Sequence, residues 1–265
     1  MSISLTYDDT LSRVQVELSG LSEDAVRVER SINGLLWETV RGARNLVVDG
    51  GAASVDDYEF AAGVENQYRV LDVDDLEGAP VESDDITPAF EDCEVWLKSI
   101  RYPMLNQRVE LYEYSDLERD GRASVLDVAG RSFPVGVTDV ASGMRLELQF
   151  RVLTAEAARK LSLSIDVGDA FFLQIAPDGH PQLPPRSFYF VVPSSRVQRV
   201  DLGEKRRMVL QVAEVAPPGP EVVGSTLVWG TVRNLYGSWA QLRAANPTWG
   251  DLLATVGSPD DLVVL

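Results

Sequence analysis

The chain has one cysteine, Cys93, and one histidine, His180, among its 265 residues. A single cysteine cannot form an internal disulfide, and a cysteine-rich zinc site is excluded as well. Serine and cysteine nucleophiles usually depend on an imidazole base. The only imidazole here lies in the turn sequence DGHP at residues 178–181, a poor place to hold a catalytic base. We therefore expect Cys93 to be structural and His180 to be an exposed turn residue.

Long hydrophobic runs and catalytic motifs are also missing. No apolar run approaches the roughly 20 residues that span a bilayer, and the first ten residues, MSISLTYDDT, lack the basic region and apolar core of a signal peptide. The motifs of phosphate-binding loops, dinucleotide-binding folds, serine hydrolases and zinc proteases do not occur. We expect no transmembrane segment, no signal peptide, no cofactor, no metal and no enzymatic activity.

Positive charge is scarce, with 24 Lys and Arg against 41 Asp and Glu, a net charge of −17. Such a chain repels phosphate backbones, so nucleic acid is not an expected partner. The acidity is concentrated in residues 1–92, which hold 21 acidic and 6 basic residues. Its densest part, residues 72–85, is interpreted as solvated, and residues 81–91 as an acidic linker. A calcium site is the alternative, although the spacing is not that of an EF-hand.

Short alternating segments fill residues 1–75. Apolar side chains occupy every second position at residues 3–7, 14–18 and 26–28, and turn sequences such as Asn33-Gly34 and Gly50-Gly51 separate the segments. A period of two is typical of half-buried strands. About seven strands at ten-residue spacing predict a small antiparallel β-sandwich.

Part of this region resembles a fibronectin type III domain. Three segments carry the resemblance: WETVRG at 37–42, DYEF at 57–60 and NQYRV at 66–70. It implies a β-sandwich over residues 1–80, in which Tyr68 closes the corner between the sheets and Tyr58 lies on the preceding strand. One departure is that Val14, Val16 and Leu18 stand where the family usually has a tryptophan on its second strand.

Residues 92–216 predict a second, β-rich domain with one helix. Thr154, followed by Glu156, is typical of an N-cap and first helical turn, and the helix is expected to end near Gly168. Lys205, Arg206 and Arg207 cluster at a turn before the last strand. They are candidates for contact with the acidic domain of a neighbouring subunit. Strands are predicted at residues 94–98, 107–112, 132–138, 145–153, 170–175, 187–192, 196–201 and 207–215.

The C-terminal part, residues 217–265, begins with the stiff connector PPGP and continues with a short repeat, SWAQL at 238–242 and TWGDL at 248–252. Each copy predicts a capped short helix with one apolar face. Because such short helices are not stable alone, their apolar residues must pack either on the same chain or on a neighbouring subunit. Aromatic anchors are favoured in subunit contacts, so the candidate interaction residues here are Trp239, Leu242, Trp249 and Leu252.

Residues 91–253 as a whole resemble minor tail proteins of tailed phages that infect actinobacteria, and their β-rich core with one helix is similar to the ring-forming domain of distal tail proteins. The resemblance rests on the order of five features: WLKS at 96–99, RSFPV at 131–135, the long strand at 145–153 with the helix TAEA after it, the Pro217-Pro218 connector and the Trp-x-x-Leu repeats.

That resemblance implies a non-enzymatic structural protein of the virion, located at the tail tip and assembled in the host cytoplasm. Its partners would be copies of itself in a ring, the tail tube and the tail hub. The alternative is a carbohydrate-binding or receptor-binding module that contacts a glycan on the host surface. Candidate aromatic contacts for a sugar are Tyr102, Tyr112, Tyr114, Phe188 and Tyr189.

Overall fold

The structure is a computed structural model that describes residues 2–80, 82–90, 94–176, 183–200, 205–220 and 222–262. Its architecture is mainly β, with antiparallel sheets and a few short helices towards the C-terminal end. Cys93 and His180 lie outside the described residues.

The N-terminal module, residues 2–90, is a sandwich of two antiparallel sheets. One sheet has the order β1-β2-β6 and the other β4-β3-β7-β8, with β5 also pairing with β3. The predicted alternation is confirmed, since Val14, Val16, Val26 and Val28 are buried between the sheets. The strands are β1 (Ser2–Asp8), β2 (Arg13–Ser19), β3 (Ala25–Ser31), β4 (Glu38–Thr39), β5 (Leu46–Val47), β6 (Ala52–Asp57), β7 (Asn66–Asp72) and β8 (Glu82–Ile86).

Strand β8 corrects the expectation of a linker at residues 81–91. It pairs with β7, with Asp84 opposite Tyr68 and Ile86 opposite Asn66, and both Ile86 and Phe90 pack against the core of the N-terminal module. Asp and Glu have low strand propensity. An edge strand nevertheless tolerates charged side chains, because they remain in water while the backbone completes the sheet.

The carboxylate of Asp57 connects the two sheets of this module. Asp57 lies at the end of β6, is buried, and accepts hydrogen bonds from the Tyr68 hydroxyl at 2.8 Å and from Arg30 Nη1 at 2.7 Å. Burial alone would lower the pKa of Arg30, but the Asp57 charge raises it above its ordinary value. The buried guanidinium is therefore held in its charged form chiefly by the Asp57 carboxylate, while the exposed Glu38 carboxylate lies farther away, at 3.5 Å.

We expect Asp57→Asn to destabilise the protein by about 3–5 kcal/mol, because it removes the buried counter-charge of Arg30 and leaves only the exposed Glu38 carboxylate, at 3.5 Å, near the guanidinium. Tyr68→Phe removes a single hydrogen bond and should cost only about 1 kcal/mol. Urea denaturation of the two variants measures both losses. Equal losses would contradict the role given to the carboxylate charge.

The central domain, residues 94–216, is built on a seven-stranded antiparallel sheet with the order β10-β9-β15-β16-β17-β14-β11. The predicted helix is confirmed: Thr154 Oγ1 accepts from Ala157 N at 3.1 Å, and Leu161 packs into the sheet's core. Gly168, just after it, has a φ of +72°, as expected of a helix-terminating glycine. The elements are β9 (Val95–Ser99), β10 (Gln107–Arg108), β11 (Glu110–Tyr114), β12 (Ala123–Leu126), β13 (Val135–Thr138), β14 (Arg145–Val152), α1 (Ala155–Asp166), β15 (Phe171–Ile175), β16 (Phe188–Arg199) and β17 (Arg206–Glu214).

Strand β16 differs from the prediction of two separate strands at 187–192 and 196–201. It is continuous, and its pairing with β17 shifts register between Val191 and Ser194. Pro193 lies within that irregularity, where a residue without an N–H can be accommodated in a sheet. Pro193 therefore lies at a bulge within one strand and does not end the strand.

A hairpin arm, residues 116–143, projects between β11 and β14. Strands β12 and β13 pair only with each other, and the predicted strand at 132–138 begins later, at Val135. The side chains of Val125, Phe133 and Val140 are exposed. A two-stranded hairpin with this exposure has little packing of its own.

The N-terminal module packs against one face of the seven-stranded sheet through polar side chains aimed at backbone carbonyls. Lys98, Asn106 and Gln174 of the central domain are buried and each donates across the boundary. The bonds are Lys98 Nζ to Ser12 O (2.5 Å) and Tyr58 O (2.8 Å), Asn106 Nδ2 to Leu11 O (3.1 Å), and Gln174 Nε2 to Phe60 O (2.6 Å). The two modules thus form a single packed unit.

Lys98 is the residue of this interface whose burial costs the most free energy, because it carries an ammonium group. Its side chain is fully buried, and its ammonium lies 4.5 Å from the centre of the Phe60 ring. Burial lowers the pKa of Lys98 well below its ordinary value, and the charges of Asp57 and Glu59 offset only part of that effect. The unfolded chain therefore binds a proton at this site more tightly than the folded chain does.

Lys98→Met should lower the free energy of unfolding at pH 7 by about 1–3 kcal/mol, because it leaves two buried carbonyls without a donor. Stability should also change with pH. Between the lowered pKa of folded Lys98 and 10.5 the unfolded state holds more protons, so the wild type gains stability as pH rises. The loss caused by Lys98→Met should therefore grow from pH 7 to pH 10.

Denaturation curves at several pH values measure this difference. Lys205→Met, at an exposed position of the same residue type, is the matched control and should show no such trend. A difference between wild type and Lys98→Met that stays constant with pH would contradict the lowered pKa.

Candidate interaction surface

Residues 222–262, which we call the helical segment, contain three short α-helices of similar design. They are α2 (Trp229–Leu235), α3 (Trp239–Ala245) and α4 (Trp249–Leu253). Each begins with a tryptophan, at intervals of ten residues. Ser238 Oγ caps α3 by accepting from Gln241 N, and Thr248 forms a reciprocal capping box with Asp251 at the start of α4.

The first of these helices was missing from the sequence prediction. Trp229 has the same ten-residue spacing as the other two tryptophans, and Val232 follows it at the leucine position of the repeat. Val228 stands where the other copies have Ser or Thr, and it provides no side-chain cap. The spacing could have revealed this copy, but the requirement for an N-cap residue hid it.

The leucines and tryptophans of the repeat have different environments. Leu242 and Leu252 are buried within the segment, whereas Trp229, Trp239 and Trp249 are 76%, 64% and 76% exposed. The sequence predicted that these apolar residues pack either on their own chain or on a neighbouring subunit, and the two residue types differ in this respect. The leucines pack in cis, and the tryptophans remain available.

The exposed tryptophans border one concave surface, which we call the tryptophan groove. It has a volume of about 380 Å³, and the Trp229 and Trp239 rings meet edge to face with centroids 6.4 Å apart. All nine lining residues are apolar: Leu227, Val228, Trp229, Val232, Trp239, Leu242, Trp249, Leu252 and Leu253. An apolar surface of this kind, open to water, is typical of a binding site.

The helical segment is fixed to the rest of the chain by its backbone. Arg41 of the N-terminal module donates to the carbonyl oxygens of Pro218, Gly219 and Val222 in the connector. Ser225 N donates to Arg101 O at 3.1 Å. The groove is therefore presented by a scaffold that both modules hold.

The basic candidates Lys205, Arg206 and Arg207 lie elsewhere, at the start of β17. Arg207 places its guanidinium 4.2 Å from the centre of the Tyr112 ring, and Lys205 is exposed. The structure thus brings together the four apolar candidates, Trp239, Leu242, Trp249 and Leu252, and leaves the basic ones outside the groove.

The five aromatic residues considered for sugar binding do not form one platform. Phe188 is buried in the core of the central domain, and Tyr189 stacks on Phe172 with ring centroids 4.7 Å apart. Tyr114 packs against the same core, and Tyr112 is covered on one side by Arg207. Tyr102 lies beside Arg101. A sugar would find a more open aromatic surface in the groove.

A second exposed apolar feature, which the sequence prediction also missed, is the Leu35 turn, residues 31–37. Leu35 and Leu36 are 82% and 75% exposed, although their backbone N–H groups are fixed by Asn33 Oδ1 at 2.9 and 3.0 Å. Ser31 Oγ accepts from Gly34 N at 2.9 Å, and Gly34 has a φ of +69°. The turn therefore holds two leucines in water in one defined conformation.

Trp37, the last residue of this turn, fixes it to the neighbouring strands. Its indole N–H donates to Gly34 O at 3.2 Å, and the guanidinium of Arg69 lies 4.2 Å from the centre of its ring. Arg69 is in turn paired with Glu29 at 2.6 Å. The base of the Leu35 turn is thus tied to strands β3 and β7.

No family model matches the chain, and a search of curated proteins finds no match either. Among the described residues, no helix combines the length and apolar character needed to cross a membrane. The same part of the chain holds no group of three or more His, Cys, Asp or Glu side chains placed to bind a metal ion.

Trp249→Ser should leave the stability of the protein within about 0.5 kcal/mol of the wild type, because the side chain is mostly in water. It should reduce the binding of a hydrophobic dye such as anilinonaphthalene sulfonate, since one wall of the groove is lost. Leu252→Ser, three residues away and buried, should instead destabilise the segment by about 2 kcal/mol or more. Thermal melts and dye fluorescence measure the two effects, and similar behaviour of both variants would contradict the division between residue types.

Proposed function

We propose that this protein is a structural, non-enzymatic virion protein of a phage tail tip, a distal-tail-like ring subunit that links the tail tube to the tip. The observation that carries the proposal is the tryptophan groove, an open apolar surface lined by three exposed indoles and held by both modules of a rigid chain. A subunit that must hold a fixed place in an assembly needs such a surface on such a scaffold.

The N-terminal module supports the fibronectin type III-like part of the proposal. Its two sheets have three and five strands, and Tyr68 is fully buried on β7 with its hydroxyl bonded to Asp57 at the end of β6. A buried tyrosine bonded across the sandwich is the role that the resemblance assigns to this residue. Tyr58 follows the end of β6 directly.

The distribution of unpartnered apolar surface supports a ring. The tryptophan groove and the Leu35 turn are built from different segments, and they are not copies of one another. Contacts between unlike surfaces are heterologous, and they close into a ring when the rotation between subunits permits. Residues 93–265 carry a net charge of only −2, which limits repulsion between packed copies.

The alternative function, recognition of a host-surface glycan, is favoured by one specific observation. Exposed tryptophan rings at the edge of a groove can stack on the apolar faces of sugars, and the three indoles here are available for that purpose. This function would not require self-association, which separates it from the ring.

Size-exclusion chromatography with light scattering, followed by negative-stain electron microscopy, tests the proposal on the full chain. We expect closed rings with a fixed copy number and a central opening, in place of the 29.1 kDa monomer. A chain that stays monomeric at high concentration and binds immobilised glycans would overturn the proposal and favour the alternative.

A further inference from the structure

The tryptophan groove is large enough to form the centre of a stable protein interface. A buried aromatic side chain removes about 150–250 Å² from water, so covering three tryptophans at their observed exposures would bury roughly 300–550 Å² of this chain. A standard interface buries about 800 Å² on each partner. The groove therefore supplies a large part of what a protein partner needs.

The Leu35 turn has the exposure and rigidity of a ligand for such a groove. It presents Leu35 and Leu36 to water, and its backbone is fixed before any contact forms. Ser31 Oγ and Asn33 Oδ1 accept hydrogen bonds from its N–H groups, and Trp37 Nε1 donates to Gly34 O. A preorganised segment loses little conformational entropy on binding. Both surfaces are apolar, so contact between them would remove apolar side chains from water.

The acidic charge of this chain is concentrated in the module that carries the turn, whereas an arginine lies beside the groove. Residues 1–92 hold 21 acidic and 6 basic residues, and Glu38, directly after the turn, is 78% exposed and paired with Arg30 at 3.5 Å. Arg233 lines a cavity together with Trp229 and Trp239. The helical segment, residues 222–262, contains two arginines and three aspartates, of which Asp260 is paired with Arg159 and Asp261 is bonded to Asn234. Attraction between the acidic module of one copy and Arg233 of the next would orient the contact.

We propose that the Leu35 turn of one copy inserts into the tryptophan groove of the next copy. Both surfaces remain exposed within one chain, so the contact is intermolecular. It is also heterologous, because the turn and the groove are different surfaces, and each copy would offer one to the copy before it and the other to the copy after it. The inference rests on the proposed function in that it names the contact that holds the ring together.

Two variants separate the halves of this contact. Leu35→Asp places a charge on the tip and leaves the groove intact, whereas Trp239→Ser opens the groove and leaves the tip intact. Each change is at an exposed position, and circular dichroism checks that each variant folds. Each should weaken self-association at least roughly 30-fold, the loss expected for a central interface residue. Analytical ultracentrifugation measures it.

Mixing the two variants gives the decisive result. The Trp239→Ser chain still has a turn and the Leu35→Asp chain still has a groove, so the mixture should form a 1:1 dimer and nothing larger. Phe133→Asp is the matched control, since Phe133 on the hairpin arm is also 82% exposed, and this variant should assemble like the wild type.

Each other outcome has a distinct meaning. Assembly lost in Phe133→Asp but kept in Leu35→Asp would show that the arm occupies the groove and would overturn the inference while leaving the ring intact. Normal assembly of Leu35→Asp and Phe133→Asp alike would indicate groove-to-groove packing and overturn it as well. The wild type could also form linear assemblies that do not close, and that are lost in Leu35→Asp and Trp239→Ser. This result would support the contact and contradict the ring. A monomeric wild type whose groove binds glycans would overturn both.

Discussion

The interface between the two modules is the constraint on which the rest of the molecule depends. Strands β9 and β15 are buried on both faces: Leu97 and Leu173 point into the central core, while Lys98 and Gln174 donate to carbonyls of the N-terminal module. Those carbonyls belong to loop backbone at residues 11–12 and 58–60. A buried polar interface of this kind is stable only when every partner is in place, so it fixes one relative orientation of the modules.

That fixed orientation also fixes the relative positions of the surfaces that stay exposed. The connector with the helical segment is held from the N-terminal module by Arg41 and from the central domain by Arg101. The groove and the Leu35 turn therefore keep a constant spacing and angle on every copy. Repeated association of identical, rigid subunits builds one geometry, whereas flexible modules would build many.

The sequence predicted most of the strands because alternation of apolar residues records which face is buried, as at Val14 and Val16. It predicted helix α1 because Thr154 and Glu156 carry a local capping signal. Strand β8 was missed because it forms only by pairing with β7, where Asp84 lies opposite Tyr68. The continuity of β16 was missed because it depends on pairing with β17, which accommodates the irregularity at Pro193. Local propensity cannot contain that information.

The sequence predicted which residues form the candidate site but not which of them are exposed. A repeat of Trp and Leu is visible in the sequence, so Trp239, Leu242, Trp249 and Leu252 could be named, and they do meet. The separation of buried leucines from exposed tryptophans was not predictable, because both residue types are apolar and only the packing decides between them. The Leu35 turn was missed because its exposure runs against the tendency of leucine to be buried.

The helical segment closes on itself, and this sets the length of the groove. Gly230 in the first helix lies so close to Asp261 that a Cβ there would be 2.0 Å from the Asp261 carbonyl oxygen, and Asn234 donates to the same residue's carboxylate at 2.7 Å. The beginning and end of the segment are thus in contact around three repeats. A fourth ten-residue unit, however well its own Trp and Leu matched the pattern, would force these ends apart, so the number of repeats cannot vary without a new way to seal the segment.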